Sequence, residues 1–124
     1  MKPKREFIDT LRDILDAMEK IERFTEGMNF DQFAGDDKTV FAVIRALEII
    51  GEATKKTPRS VKARHPSVPW REMAGIRDKL IHEYFGVNLA VVWNTVRQDI
   101  PSVKPLVAGV VEEAARQTGR RREG

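Results

Sequence analysis

Apolar residues recur at steps of three and four through the first segment of the chain: Phe7, Ile8, Leu11, Ile14, Leu15, Met18, Ile21 and Phe24. That spacing predicts an amphipathic helix, with Gly27 as its stop. Residues 28–36 read as a loop or short turn, with Phe30 and Phe33 tucked onto the core. A second helix is expected from Asp36 or Asp37, either of which can cap it. It runs through Val40, Phe41, Val43, Ile44, Leu47, Ile49, Ile50 and Ala53 and must end before Pro58. Its apolar arc is wide, as in the central helix of a bundle. Arg45, Glu48 and Glu52 are spaced by three and four, so they form one polar stripe along it. Gly51, inside the helix, costs about 1 kcal/mol against alanine, which predicts a close helix–helix approach there.

Pro58 and Pro66 interrupt residues 58–68, around one short helix at most. Pro69 suits the first position of a third long helix, 69–85, that Gly86 can close. Asn88 should cap the next helix, which carries Leu89, Val91, Val92, Trp93 and Val96. Pro101 and Pro105 are expected to interrupt it, with Ser102 capping a last helix that runs to about Gln117. No stretch alternates with period two. The pattern predicts an all-α, antiparallel helical bundle of about four to five main helices.

The 124 residues fit one domain, taken as 1–115, followed by a basic tail, 116–124, expected to be disordered. Cysteine is absent, which excludes disulfides, thiolate metal sites and cysteine nucleophiles. No apolar run nears the roughly 18 residues of a membrane span, and no signal-peptide pattern opens the chain. The expectation is a soluble cytoplasmic protein. The net charge of +3 equals that of the tail residues Arg116, Arg120, Arg121, Arg122 and Glu123, so residues 1–115 are neutral overall. Charge is nonetheless segregated. Ten acids lie in residues 6–37, whereas residues 55–71 carry Lys55, Lys56, Arg59, Lys62, Arg64 and Arg71 and no acid. Such a segment can attract phosphate or simply form a solvated loop.

Candidate chemistry gathers in Arg77-Asp78-Lys79-Leu80-Ile81-His82-Glu83-Tyr84. On a helix, Asp78–His82 and Lys79–Glu83 are i,i+4 pairs, which suit a solvent face. Asp78 could equally orient the His82 imidazole. Arg77 and His82 lie about 140° apart around the axis, so they flank a groove and a long arginine must reach across. His65, beside Pro66, reads as a turn residue.

The Arg77–His82–Tyr84 spacing, R-x-x-x-x-H followed by x-Y, resembles the signature of HEPN-domain proteins of the HepT-like ribonuclease toxin family. Supporting strings are Arg45-Ala46-Leu47-Glu48-Ile49-Ile50-Gly51-Glu52-Ala53, Val68-Pro69-Trp70, Val92-Trp93 and Asp99-Ile100-Pro101, in the family's order over roughly residues 5–112. The resemblance implies a bundle that forms a homodimer, with two motifs facing one cleft. It implies a metal-independent endoribonuclease acting on RNA, without a cofactor, as the toxin of a toxin–antitoxin pair. The implied partner is a minimal nucleotidyltransferase antitoxin of the MntA type that adenylylates the motif tyrosine, by position Tyr84.

The residue types suit that chemistry. RNA can be cut by its own 2′-hydroxyl, which needs proton transfer and stabilised phosphoryl charge but no metal. His82 can move protons near neutral pH, and Arg77 can bind non-bridging oxygens as charge develops. One histidine cannot readily serve both sides of the phosphorus; a second chain would supply another. Asp78, Glu48 and Glu52 are the candidate supporting residues. The Arg45–Glu48–Glu52 stripe is either an intrahelical ion-pair row or a support reaching across the bundle. A non-catalytic helical module that partners a nucleotidyltransferase and grips phosphate through Arg77 and His82 is the alternative.

Overall fold

In the computed structural model, the backbone is described over 2–81 and 88–123, and side chains over 7–80 and 88–117. The described residues contain helices and no strand. Helix α1 (Lys2–Phe24) buries Leu11, Ile14, Met18 and Ile21. Each such side chain contributes about 1.5–3 kcal/mol on leaving water. The chain turns after α1 at Gly27, whose φ of 75° is open to glycine at no steric cost.

The segment after that turn is a short helix, α2 (Phe30–Ala34), opened by a capping box between Asn29 and Gln32. Phe33 is fully buried against Trp93, with ring centroids 5.0 Å apart. Phe30 reaches the same ring edge-on but stays partly exposed.

Helix α3 (Asp37–Lys56) is capped by Asp36, whose carboxylate accepts from the Thr39 amide and hydroxyl. It buries Val43, Leu47 and Ile50 and packs on α1 and α2. Phe41, grouped with the apolar arc by sequence, is instead 72% exposed. It lies one turn before Arg45 on the polar stripe rather than on the buried face.

Helix α4 (Arg59–Arg64) is the one short helix expected between the prolines. The third long helix expected over 69–85 is not a single rod in its described part. Helix α5 (Trp70–Ala74) stops at Gly75, and α6 (Ile76–Ile81) starts after it. Glycine at the junction has little helical preference. Pro69 is the residue before α5, not its first turn. The expected close at Gly86 lies outside the described residues.

Asn88 caps α7 (Leu89–Asn94), accepting from the Ala90 and Val91 amides. The expected interruption at Pro101 and Pro105 does not occur. The helix passes through a wide π-type turn, Thr95–Asp99, in which the Ile100 amide reaches back to the Thr95 carbonyl. It then continues as α8 (Ile100–Glu123), beyond Gln117, with Pro105 inside. A proline at 101 lacks the N–H that a regular ladder needs, and its ring crowds the carbonyl four residues back. Widening the preceding turn relieves that crowding without ending the helix. Ser102 is therefore not a cap; its hydroxyl donates to the Gln98 carbonyl at 2.9 Å.

Helix α1 packs on both α3 and α8. The Lys104 ammonium, early in α8, donates to Glu22, late in α1, at 2.7 Å. That carboxylate holds Lys104 above its ordinary pKa. At the opposite end Phe7 and Gln117 share one small cleft with Val61 and His65, so α1 and α8 run antiparallel. Phe7 near Val61, and Met18 near Ile50, give the same sense for α1 and α3. Among the described residues no helix is long and apolar enough to cross a membrane.

Candidate active site

The site is built where α3 meets the α5–α6 junction, and Gly51 sets how closely they meet. A Cβ added there would lie 3.1 Å from Ile76 Cγ2 and 3.5 Å from the Met73 carbonyl oxygen. The missing side chain thus admits the junction onto α3, as the sequence led us to expect. Ile76 and Leu80 are buried and anchor α6, which leaves Arg77, Asp78 and Lys79 on its exposed side.

That docking brings Arg77 to Glu48, one turn before Gly51 on α3. Arg77 Nε lies 4.0 Å from Glu48 Oε2, while Arg45 Nη1 lies 3.5 Å from Glu48 Oε1. Arg45 also lies 3.8 Å from a Glu52 oxygen. The Glu48 carboxylate therefore sits between two guanidiniums, one oxygen facing each. The row is intrahelical, and Glu48 also lies within 4.0 Å of Arg77 on α6. At these separations the contacts are ion pairs rather than hydrogen bonds. The Glu48 side chain is 24% exposed and that of Arg77 is 56% exposed. A pair this open contributes at most about 0–1 kcal/mol to stability. The pair sets the Arg77 guanidinium beside α3.

Of the residues the sequence singled out, Arg77 and Glu48 are adjacent, and Glu52 joins them through Arg45. Arg45, read from the sequence as part of the same stripe, is the residue that links the two carboxylates. Its i,i+3 spacing to Glu48 is the spacing that the sequence reading used. Asp78 is exposed and makes no ion pair among the described residues. His82 and Tyr84 lie outside the described residues, as do the Asp78–His82 and Lys79–Glu83 pairings.

His65 stands apart from this cluster. Its Nε2 lies 3.5 Å from Glu113 on α8, and its carbonyl accepts from the Trp70 indole at 2.9 Å. It ends α4 and fixes the turn into α5. A cavity of about 480 Å³ opens elsewhere on α6, between Met18, Ile50, Ile76 and the π-type turn, with Glu72, Lys79 and Asp99 in its wall. It touches neither Arg77 nor Glu48. Among the described residues no group of three or more histidine, aspartate or glutamate residues is placed to hold a metal ion.

The sequence profile of the family described as "Ribonuclease HepT-like" matches residues 14–110. A Thermococcus cleftensis protein named "Probable ribonuclease HepT" is 59% identical over 101 residues, covering 82% of this chain and 92% of the relative. "Putative RNase MJ0127" of Methanocaldococcus jannaschii is 48% identical over 81% of this chain and 83% of its own length. "Putative RNase TTE0752" of Caldanaerobacter subterraneus is 40% identical over 91% of this chain and 98% of its own length. No solved structure matches the chain. The matched span runs from α1 into α8 and contains Glu48, Arg77, His82 and Tyr84: the chain belongs to the ribonuclease HepT-like family.

Proposed function

We infer that this protein is an endoribonuclease that cuts RNA without a metal ion, and that it is the toxin of a toxin–antitoxin pair. The observation that carries this reading is the Arg77 guanidinium, half exposed and directed by Glu48 through its inner nitrogen. Its terminal nitrogens are those that a phosphate's non-bridging oxygens engage. His82 follows five residues later, and the names given to the relatives point to the same substrate class.

In the reaction, the 2′-oxygen attacks the adjacent phosphorus and the bond to the 5′-oxygen breaks. One His82 takes the 2′-hydroxyl proton, and the second His82 of a homodimer gives a proton to the leaving 5′-oxygen. Arg77 balances the charge that grows on the non-bridging oxygens. Control falls on Tyr84, the only tyrosine in the chain. A minimal nucleotidyltransferase transfers AMP from ATP to its phenol oxygen, releasing pyrophosphate. The attached phosphate then competes with RNA phosphate for Arg77.

A single series tests this. Purified protein is incubated with RNA in EDTA as wild type, Arg77→Ala, His82→Ala and Tyr84→Phe, each with and without the cognate nucleotidyltransferase and ATP. The expected result is metal-free cleavage that falls by about 10²–10⁴-fold in the first two variants. Tyr84→Phe should cleave and escape both added mass and inhibition. Cleavage lost in EDTA, or a fully active AMP-bearing protein, would refute the reading.

A further inference from the structure

We propose that the exposed stripe of α3 is a track for single-stranded RNA, with Phe41 as a base-stacking platform at one end and Lys55 and Lys56 as phosphate contacts at the other. The proposal rests on the ribonuclease reading and names the substrate class and the residues that select it. Its starting point is spacing. Phe41, Glu48 and Lys55 are separated by seven residues each, so they fall on one side of α3 at intervals of about 10.5 Å. The middle position is the carboxylate that directs Arg77.

The two ends are chemically matched to a nucleic-acid strand. Phe41 presents a ring that is 72% exposed, the most exposed of the large apolar side chains described. An open ring on a polar stripe leaves most of its apolar surface uncovered within this chain, but every nucleobase offers it a flat partner. At the other end Lys55 and Lys56 are exposed, and Arg59 follows at the start of α4. None of these three cations is ion-paired among the described residues. Glu48 and Glu52 lie between the ends, but Arg45 sits against both carboxylates and Arg77 against the first. The middle of the track is therefore electrically balanced until phosphate competes for Arg77.

A strand held at Arg77 by one phosphate then places a base on Phe41 and a phosphate at the lysines within a few nucleotides either way. Stacking on an isolated side chain needs an unpaired base, so duplex RNA, whose bases are stacked on one another, is excluded from the Phe41 end.

The test uses the full chain carrying His82→Ala, so that binding is read without cleavage. The probe is a fluorescein-labelled single-stranded RNA of about twelve nucleotides, with a blunt duplex of the same sequence for comparison. Anisotropy titrations across salt are expected to show preference for the single strand. Phe41→Ala should weaken its binding about tenfold, and Phe41→Trp should retain it. Lys55→Gln/Lys56→Gln should lower the salt slope by about 0.7 per lysine. Equal binding by Phe41→Ala, equal binding of duplex, or an unchanged salt slope would overturn the track. Sedimentation of the same variants reads the other possible occupant: a Phe41→Ala protein that loses its dimer and its RNA together would assign the ring to a contact between copies. Cleavage assays on the otherwise wild-type chain separate this proposal from the one it rests on. RNA cleaved normally with Phe41 silent removes the track alone; the full binding pattern without any cleavage removes the ribonuclease reading alone.

Discussion

Asp36 accepts from both the amide and the hydroxyl of Thr39, and those two bonds decide its titration. The amide bond, then the hydroxyl bond, holds its carboxyl below the ordinary value of 3.8. A carboxyl depressed in the folded state adds stability that is complete above the ordinary value and is lost as pH falls through the folded one. Asparagine caps a helix about as well as aspartate but does not titrate. We expect the melting temperature of Asp36→Asn to fall less than that of wild type between roughly pH 5 and pH 2; parallel melting curves would contradict the assignment. The sequence offered this cap as one of two neighbours, and the two bonds to Thr39 single out Asp36. Phe41 shows the opposite case. Hydrophobicity alone grouped it with the buried face, although the spacing of Arg45, Glu48 and Glu52 already placed it on theirs. Pattern along a helix states which residues share a face, and only packing states which face is covered.

At the scale of elements, α1, α3 and the cap at Asn88 were legible because each rests on many residues acting together or on one local bond. The π-type turn before Pro101 was not. A proline predicts loss of one hydrogen bond, but whether the helix stops or widens depends on what its far side buries. Here Thr95, Val96, Ile100 and Val107 are buried on both sides of the proline, so ending the helix would expose them. The junction at Gly75 was missed for the converse reason: a lone glycine is tolerated in many helices. Gly51 was legible, and it links fold to site, because the approach it permits brings Arg77 to Glu48. Gly51→Leu should cost about 1–3 kcal/mol by forcing α3 from the Met73 and Ala74 carbonyls, and should lower cleavage with it. Gly51→Ala meets chiefly the Ile76 side-chain tip, which can yield, and its gain in helix preference of about 1 kcal/mol offsets that strain. Urea denaturation of both variants reads the difference. Equal stability of Leu and Ala at 51 would mean that the junction is not held by close approach.

At the scale of the whole molecule, one chain presents a single Arg77 and a single His82, and it has only one other histidine. That other, His65, is committed to Glu113 and the Trp70 turn on α8 and α5. No second imidazole of the same chain is therefore available to protonate the 5′-oxygen while the first deprotonates the 2′-hydroxyl. A cut through 2′-attack at neutral pH gains most when both transfers have a group near that pH. The proposed mechanism therefore calls for two chains around a two-fold axis, each lending its His82. A site so composed would exist only in the dimer, which would give it a signature that a monomeric enzyme cannot show. Activity per protomer should stay constant at high concentration and fall on dilution through the dissociation constant of the dimer. Sedimentation over the same range should show the dimer disappearing in step. Specific activity that is unchanged while the dimer dissociates would place a complete site in one chain, and a second proton carrier would then have to be found within it.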